Sequence, residues 1–231
     1  MNDIIKSQNA GLAVASNQRG FEAPGFTQED LIMPRAKLLQ ALSPEIQDGG
    51  EGLSQGNIIN SITQEKLPEE FIPIFAFKNY ARFNPRKKED PNFNSEFAPG
   101  ELIWKSSDPE DFRVQAETVF GPNGETPLAV TFLNFFSYFP GANTPLVVSF
   151  SKTSYKAGKQ LLSMAKWAGG DMFSRKYKLT THKESNDSGT YFVLRVAVLG
   201  ENTEHSATCE KLWTDFSFKA QNIQVHMDET E

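Results

Sequence analysis

Residues 126–168 of the chain read TPLAVTFLNFFSYFPGANTPLVVSFSKTSYKAGKQLLSMAKWA, and this stretch decides the fold prediction. It opens with two apolar, aromatic-rich runs, 126–139 and 145–150, which are separated by the turn sequence Pro-Gly-Ala-Asn at 140–143. Such runs on either side of a turn predict two adjacent β-strands. Because a helix follows only after both strands, the order is not the strand–helix–strand alternation of a parallel sheet.

An amphipathic helix is predicted directly after this strand pair, over residues 153–168. Ser151 or Thr153 can cap its N-terminus, and the Gly-Gly pair at 169–170 ends it. Lysines fall on one side at helical spacing, and apolar residues fall on the other. The lysines are Lys152, Lys156, Lys159 and Lys166, and the inward residues are Tyr155, Leu162 and Ala165. No acid interrupts the lysine side, so a functional cationic patch stands beside the reading of an ordinary solvated face.

Further strand signals lie on both sides of this stretch. They comprise 35–40, 57–63, 71–83, 101–104, 113–120, 173–181 and 191–199, and a last helix is predicted over 203–215. The first two form a long-looped hairpin and the last two form a closing hairpin. A five-stranded Greek-key OB barrel carries a helix between its third and fourth strands. We therefore predict a mainly β fold, a β-barrel with one or two helices, built as an OB-fold-like core with an N-terminal hairpin extension.

Charge is unevenly distributed along the chain. The net charge is −6, which by itself disfavours nucleic acid as a partner. Residues 150–183 nevertheless contain eight basic residues and one acidic residue, a net of +7. Residues 200–231 contain two basic and seven acidic residues, a net of −5. Because local potential decides what approaches a surface, the basic segment indicates a nucleic-acid partner.

Basic and aromatic residues alternate in two clusters, one over 78–88 and one over 173–178. Cations that follow phosphates and rings that stack on bases are what hold a single strand without fixed sequence. The alternative is that these aromatics fill the core while the lysines solvate its rim. The candidate nucleic-acid-binding residues are Lys78, Tyr80, Arg82, Phe83, Lys152, Tyr155, Lys156, Lys159, Lys166, Trp167, Arg175, Lys176, Tyr177 and Lys178.

Catalytic patterns are not found, and the EF-hand-like oxygen spacing over 90–101 has Ser95 where the sharp turn needs glycine, so we predict an ordinary polar loop there. With one cysteine, Cys209, and three histidines, the chain can form neither an intramolecular disulfide nor a Cys/His zinc site. We expect Cys209 to be a buried small side chain rather than a nucleophile. HExxH, GxSxG and Walker patterns do not occur, so we predict no enzyme activity, no cofactor and no metal. We also expect neither a secretion signal nor a membrane span.

Three segments resemble tailed-phage proteins described as single-stranded DNA-binding proteins. They are MPRAKLLQALSPE at 33–45, FIPI at 71–74 and KTSYKAGKQL at 152–161, and the likeness extends over roughly residues 33–199. The resemblance implies an OB-like fold, a role in phage replication or recombination, and a place in the host cell cytoplasm. It also implies an acidic C-terminus that recruits replication or recombination proteins, although the terminal Phe of bacterial versions is missing here.

The predicted domain organisation follows from these signals. Residues 1–26 are expected to form a flexible arm, and residues 27–200 an OB-like nucleic-acid-binding domain. A C-terminal helix is expected within 201–221, and an acidic disordered tail over 222–231. The predicted function is sequence-tolerant binding of single-stranded DNA in phage replication or recombination, and the sequence leaves the oligomeric state open, a homo-oligomer included. Two alternatives stay open: a phage structural or assembly protein with an aromatic-rich sheet as its subunit interface, and a Mg²⁺-dependent nuclease or annealing factor.

Overall fold

A computed structural model describes residues 32–49, 52–142, 145–186 and 189–217. The predicted arm at 1–26 and the acidic tail at 222–231 lie outside these residues. The described elements, in chain order, are β1 (Arg35–Leu38), α1 (Pro44–Gln47), β2 (Ile58–Asn60), β3 (Glu70–Phe83), β4 (Leu102–Ser106), α2 (Phe112–Glu117), β5 (Val130–Tyr138), β6 (Leu146–Phe150), α3 (Tyr155–Ala168), β7 (Arg175–Asn186), β8 (Gly189–Glu201) and α4 (Ser206–Phe216). In these ranges, no helix combines the length and hydropathy needed to cross a membrane.

The strands form one large mixed sheet in the order β2-β1-β6-β5-β3-β7-β8, with β4 paired to β3. The β1–β6 pair is parallel and the other pairs are antiparallel. The mainly β prediction is confirmed. The predicted barrel is wrong, because the sheet remains open and, among the residues that the structure describes, no strand ladder joins β8 to the β1–β2 edge. The OB-fold assignment therefore has no closed barrel to support it.

Side chains, not a ladder, connect the β7–β8 hairpin to the β1–β2 edge. The Gln40 amide nitrogen donates to the carbonyl of Phe192 at 2.7 Å, and the Phe192 N–H donates back to the Gln40 side-chain oxygen at 2.9 Å. The Thr181 hydroxyl donates to the carbonyl of Gly56 at 2.9 Å. Only Glu70 and Phe71 of β3 pair with β7, so the hairpin leaves the sheet early and depends on these clasps.

A β-bulge in β3 determines which side chains reach which face. Pro73 sits opposite Ser137, and the register shifts before Phe75, so that Ile74 is the extra residue. Proline cannot donate a ladder hydrogen bond, which is why it occurs in strands at edges and bulges. Phe71 therefore packs on one face of the sheet, whereas Ile74 and Phe75 both belong to the other. A strictly alternating reading of 71–83 misplaces one half of the strand.

Each face of the sheet is covered by one helix. On the first face, Gly158 and its neighbours in α3 pack on Phe150 of β6. On the second face, α4 contributes Cys209, Leu212 and Phe216 to a cluster that includes Phe136. Among the described residues, six phenylalanines are fully buried: Phe71, Phe132, Phe135, Phe136, Phe139 and Phe150. Much of the core of the sheet is thus built from phenylalanine.

One predicted strand is a helix. Residues 113–120 were expected to be extended, but Phe112–Glu117 forms α2. The reason is its N-cap: the Arg113 backbone N–H donates to the Asp111 carboxylate at 2.9 Å, and the Arg113 guanidinium bonds the same group. These hydrogen bonds hold the pKa of Asp111 well below its ordinary value.

The predicted caps of α3 are also corrected. A 3₁₀ turn at Lys152–Ser154 precedes the helix, so neither Ser151 nor Thr153 is the N-cap residue. The N-cap is Ser154, whose side-chain oxygen accepts a hydrogen bond from Leu194 of β8 at 3.0 Å instead of capping its own helix. This bond links the start of α3 to the closing hairpin.

Replacing Gly158 by alanine should destabilise the fold. A Cβ atom built there lies 2.7 Å from Cβ and 2.9 Å from Cγ of Phe150, so α3 or β6 must shift. Overpacking of this kind lowers stability by about 1–3 kcal/mol, which offsets the helix propensity gained from losing a glycine, about 1 kcal/mol. Urea unfolding measures the change, with exposed Ser163→Ala on the same helix as the control. An unchanged or higher midpoint for Gly158→Ala would contradict the close contact.

The Tyr177→Phe variant should be at least as stable as the wild type near pH 7. Tyr177 is fully buried, and within the described residues its hydroxyl has no hydrogen-bond partner, so the substitution removes an unsatisfied polar group. Burial raises the pKa of Tyr177 above its ordinary value of 10.0. The folded state therefore favours the protonated phenol, and wild-type stability should fall as pH rises past 10 more steeply than that of Tyr177→Phe. Parallel stability–pH curves for the two proteins would refute this.

Candidate nucleic-acid interface

Helix α3 rests on the sheet through its smallest side chains. The buried residues are Ala157, Gly158, Leu161 and Ala165. Of the three residues expected to face inward, only Ala165 is buried, and Tyr155 and Leu162 are half-buried at the margins. The helix is therefore turned so that its narrow side meets β6, and its opposite side is lifted into solvent.

The opposite side of α3 carries one continuous polar stripe, which we call the α3 stripe. It consists of the exposed residues Lys156, Lys159, Gln160, Ser163, Lys166 and Trp167. Steps of three and four place these side chains on one side of the helix. The helix contains no Asp or Glu, and none of its three lysines has an ion-pair partner among the described residues. The cationic charge of the stripe is therefore not neutralised locally.

Aromatic rings accompany this charge at both ends of α3. Trp167, at the C-terminal end, is 87% exposed, the largest exposure among the exposed large apolar side chains. At the N-terminal end, the Lys159 ammonium lies 5.7 Å from the ring centroid of Tyr155. An indole so exposed contributes little to the core, so its ring is accessible to a partner.

A groove runs between α3 and β8 along this stripe. Its volume is about 680 Å³. It is lined by Lys156, Lys159, Gln160, Ser163, Met164 and Val196. A further cation on this face comes from β3: Lys78 is exposed and pairs opposite Leu133, whose side chain belongs to the core cluster beneath α3. Because paired residues point to the same side of a sheet, Lys78 shares the α3 face.

Most residues of the predicted basic and aromatic cluster on β7 are buried or ion-paired in the structure. Tyr177 is fully buried and packs at 6.1 Å from the Phe71 ring, so its assignment as a stacking ring is wrong. The Lys176 ammonium lies 3.3 Å from the Glu70 carboxylate, and that of Lys178 lies 2.8 Å from Glu69. Arg175 is half-buried. This strand offers much less free positive charge than its sequence suggests.

Most candidates of the predicted cluster on β3 are likewise buried or ion-paired. Tyr80 is buried in a small core with Trp104, so its ring cannot stack on a base. The Arg82 guanidinium donates to the Glu117 carboxylate at 2.9 Å, and Glu117 also accepts from the indole N–H of Trp104. Phe83 is half-buried. Of the candidates on this strand, only Lys78 stays exposed.

Two stripe residues were missed by the sequence reasoning, Gln160 and Ser163. Both are neutral, so a search for bases and rings passes over them. Their signal is the spacing: Gln160 lies one helical turn after Lys156, and Ser163 one turn before Trp167. Amide and hydroxyl groups at such positions can donate hydrogen bonds to phosphate oxygens.

The single thiol is structural. Cys209 is fully buried, as predicted, and the side-chain nitrogen of Asn202 lies 3.6 Å from its sulfur. Burial raises the pKa of the Cys209 thiol to about 11. Among the described residues, no group of three or more His, Cys, Asp or Glu side chains could hold a metal ion.

Comparison with known proteins places the chain in a family. No curated protein and no solved structure matches it. The family model described as Pam3 phage gp34-like protein matches residues 6–219, nearly the whole chain. The chain therefore belongs to the Pam3 phage gp34-like protein family, a family of phage proteins.

Proposed function

We propose that this phage protein binds single-stranded DNA through the α3 stripe, without fixed sequence, during replication or recombination of the phage genome. The observation that carries the proposal is the stripe itself: three exposed lysines, Gln160 and Ser163 on one side of an acid-free helix that ends in an exposed Trp167. Lysines and neutral donors are the groups that contact phosphate oxygens, and an exposed ring can stack on a base.

The exposed indole favours a single strand over a duplex. A ring can stack on a base only when that base is free of its own neighbours, as it is in an unpaired strand. Trp167 directly follows Lys166 in the chain. One nucleotide can therefore contact the Trp167 ring with its base and the Lys166 ammonium with its phosphate. The chemistry of the stripe does not distinguish bases, which supports sequence-tolerant binding.

A phage structural or assembly role is the second candidate. An aromatic-rich sheet as the subunit interface loses support because most phenylalanines of the described strands are buried within the chain. What favours an interface is a set of exposed apolar side chains in α2 and the segment that follows it, namely Phe112, Val119, Phe120 and Leu128. Analytical ultracentrifugation of the wild type and of Phe112→Ser with Phe120→Ser tests it. This role would be favoured if the wild type forms a stable oligomer and the double variant is monomeric.

Charge reversal on the stripe should weaken DNA binding. Lys156→Glu and Lys159→Glu should each lower affinity about tenfold at low salt, and together more, because each removes a phosphate contact and adds repulsion. The double variant should also flatten the dependence of affinity on salt. Fluorescence anisotropy with a labelled oligonucleotide of about 30 thymidines measures both, and gel analysis with Mg²⁺ present detects any nuclease activity in the same samples.

Lys211→Glu is the matched control for these reversals. Lys211 is exposed on α4, which packs on the opposite face of the sheet, so its reversal changes the net charge equally without touching the stripe. Its affinity should stay within about twofold of the wild type, since only long-range charge is altered. Equal losses for Lys211→Glu and Lys156→Glu would show that net charge alone governs binding. No binding by the wild type at low salt would reject the proposal.

Trp167→Ala should also weaken binding to the single strand. Loss of one base stack corresponds to about 1–3 kcal/mol of binding free energy. Trp213→Ala is the comparison, because Trp213 is 47% exposed on α4, away from the stripe. Tryptophan fluorescence gives a second readout: quenching of the wild type by the thymidine oligonucleotide should largely vanish in Trp167→Ala and persist in Trp213→Ala. The reverse pattern would assign base stacking to Trp213 on α4 and contradict the role of Trp167.

A further inference from the structure

Strand β8 is the last strand of the sheet, and among the described strands it pairs with β7 alone. In an antiparallel pair, alternate residues point their backbone N–H and C=O groups towards the partner strand and away from it. The N–H of Phe192 donates to the Gln40 side chain at 2.9 Å, and that of Leu194 donates to the Ser154 hydroxyl at 3.0 Å. These two residues therefore point away from β7, and side chains cover this half of the outer edge.

The second half of the outer edge has no such cover. Val196 and Val198 continue the alternation, so their N–H and C=O groups also point away from β7. From the residues that the structure describes, no hydrogen bond reaches these outward groups. Proteins commonly protect a free strand edge with charged side chains or proline, but residues 196–200 read VAVLG. We call residues 196–198 the β8 free edge, and a β-bulge directly after Val198 ends it.

The β8 free edge borders the groove beside α3. Val196 lines that groove together with Lys156 and Lys159, and none of its described lining residues is acidic. Neither lysine has an ion-pair partner among the described residues. A segment in the groove therefore meets backbone hydrogen-bonding groups on one side and two ammonium groups on the other. An extended polypeptide fits this arrangement, because its own N–H and C=O groups can continue the ladder of the sheet.

The side chains of such an added strand would meet two different surroundings. Successive side chains point to opposite faces of a sheet. Val196 packs against the core cluster beneath α3, so the exposed Ala197 points to the other face. We propose that the β8 free edge accepts an extended segment of a partner protein in which acidic and apolar residues alternate. Its acids face Lys156 and Lys159, and its apolar residues lie beside Ala197.

Docking of this segment would compete with DNA, because Lys156 and Lys159 also belong to the α3 stripe. A partner that carries the segment would therefore release the single strand from the protein. The competition rests on the proposed single-strand function, whereas the docking itself does not.

A labelled peptide of four Glu-Val repeats tests the docking by fluorescence anisotropy with the full chain. Strand addition uses every second N–H group of the peptide. Two control peptides carry N-methyl groups, one on all its glutamates and the other on all its valines, and both keep the charge of the parent. One of the two should bind nearly as well as the parent, and the other should not bind. Equal affinities of the two methylated peptides would overturn the inference, since charge alone would then hold the peptide.

Val198→Pro tests the edge from the side of the protein. Proline removes the outward N–H and leaves the ladder to β7 intact, so the peptide should bind about fivefold more weakly, the loss expected for one hydrogen bond. Val198→Thr keeps the N–H and should bind as the wild type does. Circular dichroism confirms that both variants are folded. Wild-type affinity in Val198→Pro would contradict a hydrogen bond at this edge.

Competition with DNA separates this inference from the proposed function. The unlabelled Glu-Val peptide should displace the thymidine oligonucleotide, and the Lys156→Glu, Lys159→Glu double variant should bind the peptide poorly. If the oligonucleotide binds and the peptide does not, the inference is rejected and the α3 stripe stands. If the peptide binds with the expected preference between the methylated forms and the oligonucleotide does not bind, the docking stands and the proposed function fails.

Discussion

The close contact between α3 and β6 is the constraint on which the α3 face depends. Gly158 brings the helix backbone so near to Phe150 that no Cβ fits between them. The helix must therefore lie on its row of small residues, and its widest side chains must point away from the sheet. The lysines of the α3 stripe are presented to solvent by this packing as much as by their own hydrophilicity. A helix seated a quarter turn differently would tuck part of the stripe against β8.

The second constraint is the competition between core and surface for aromatic rings. The open sheet has two faces to cover, and the two helices supply few large side chains: the buried residues of α3 are mostly small, and the one buried residue of α4 is Cys209. The strands must fill the remaining volume, so rings such as Tyr80 and Tyr177 are drawn inward. Trp167 is not drawn into the core, because it lies at the C-terminal end of α3. Its exposure is therefore informative, whereas aromatic abundance in the strands is not.

Much of the fold could be predicted from local patterns. The β1–β2 hairpin, the long β3, the β5–β6 pair, α3 and the β7–β8 hairpin all follow from periodicity and turn residues, which act over short distances. That the sheet stays open could not be predicted, because its ends are connected by side-chain hydrogen bonds rather than by a strand ladder, between residues as far apart as Gln40 and Phe192. Nor could α2, since its Asp111 cap outweighs the strand propensity of the residues that follow.

The candidate site was predictable only where charge stays within one element. The lysines of α3 are neighbours along a single helix, so sequence spacing was sufficient to place them together. Lys176 and Lys178 read as equally basic, yet Glu70 and Glu69, more than one hundred residues earlier, pair with them through the β3–β7 contact. Ion pairs formed across a sheet depend on register, which no local pattern reveals. Charge counts along a sequence therefore overstate the positive surface of strands more than that of a helix.

The most direct test of this account is a map of the protein–DNA contact. The chain would be cross-linked by ultraviolet light to a thymidine oligonucleotide and the modified residues identified by mass spectrometry. The account predicts cross-links concentrated in α3 and its flanks, with Trp167 among them, and their loss at high salt. Cross-links confined to α4 or to the opposite face of the sheet, or the same pattern at all salt concentrations, would contradict the claim that the α3 stripe holds the strand.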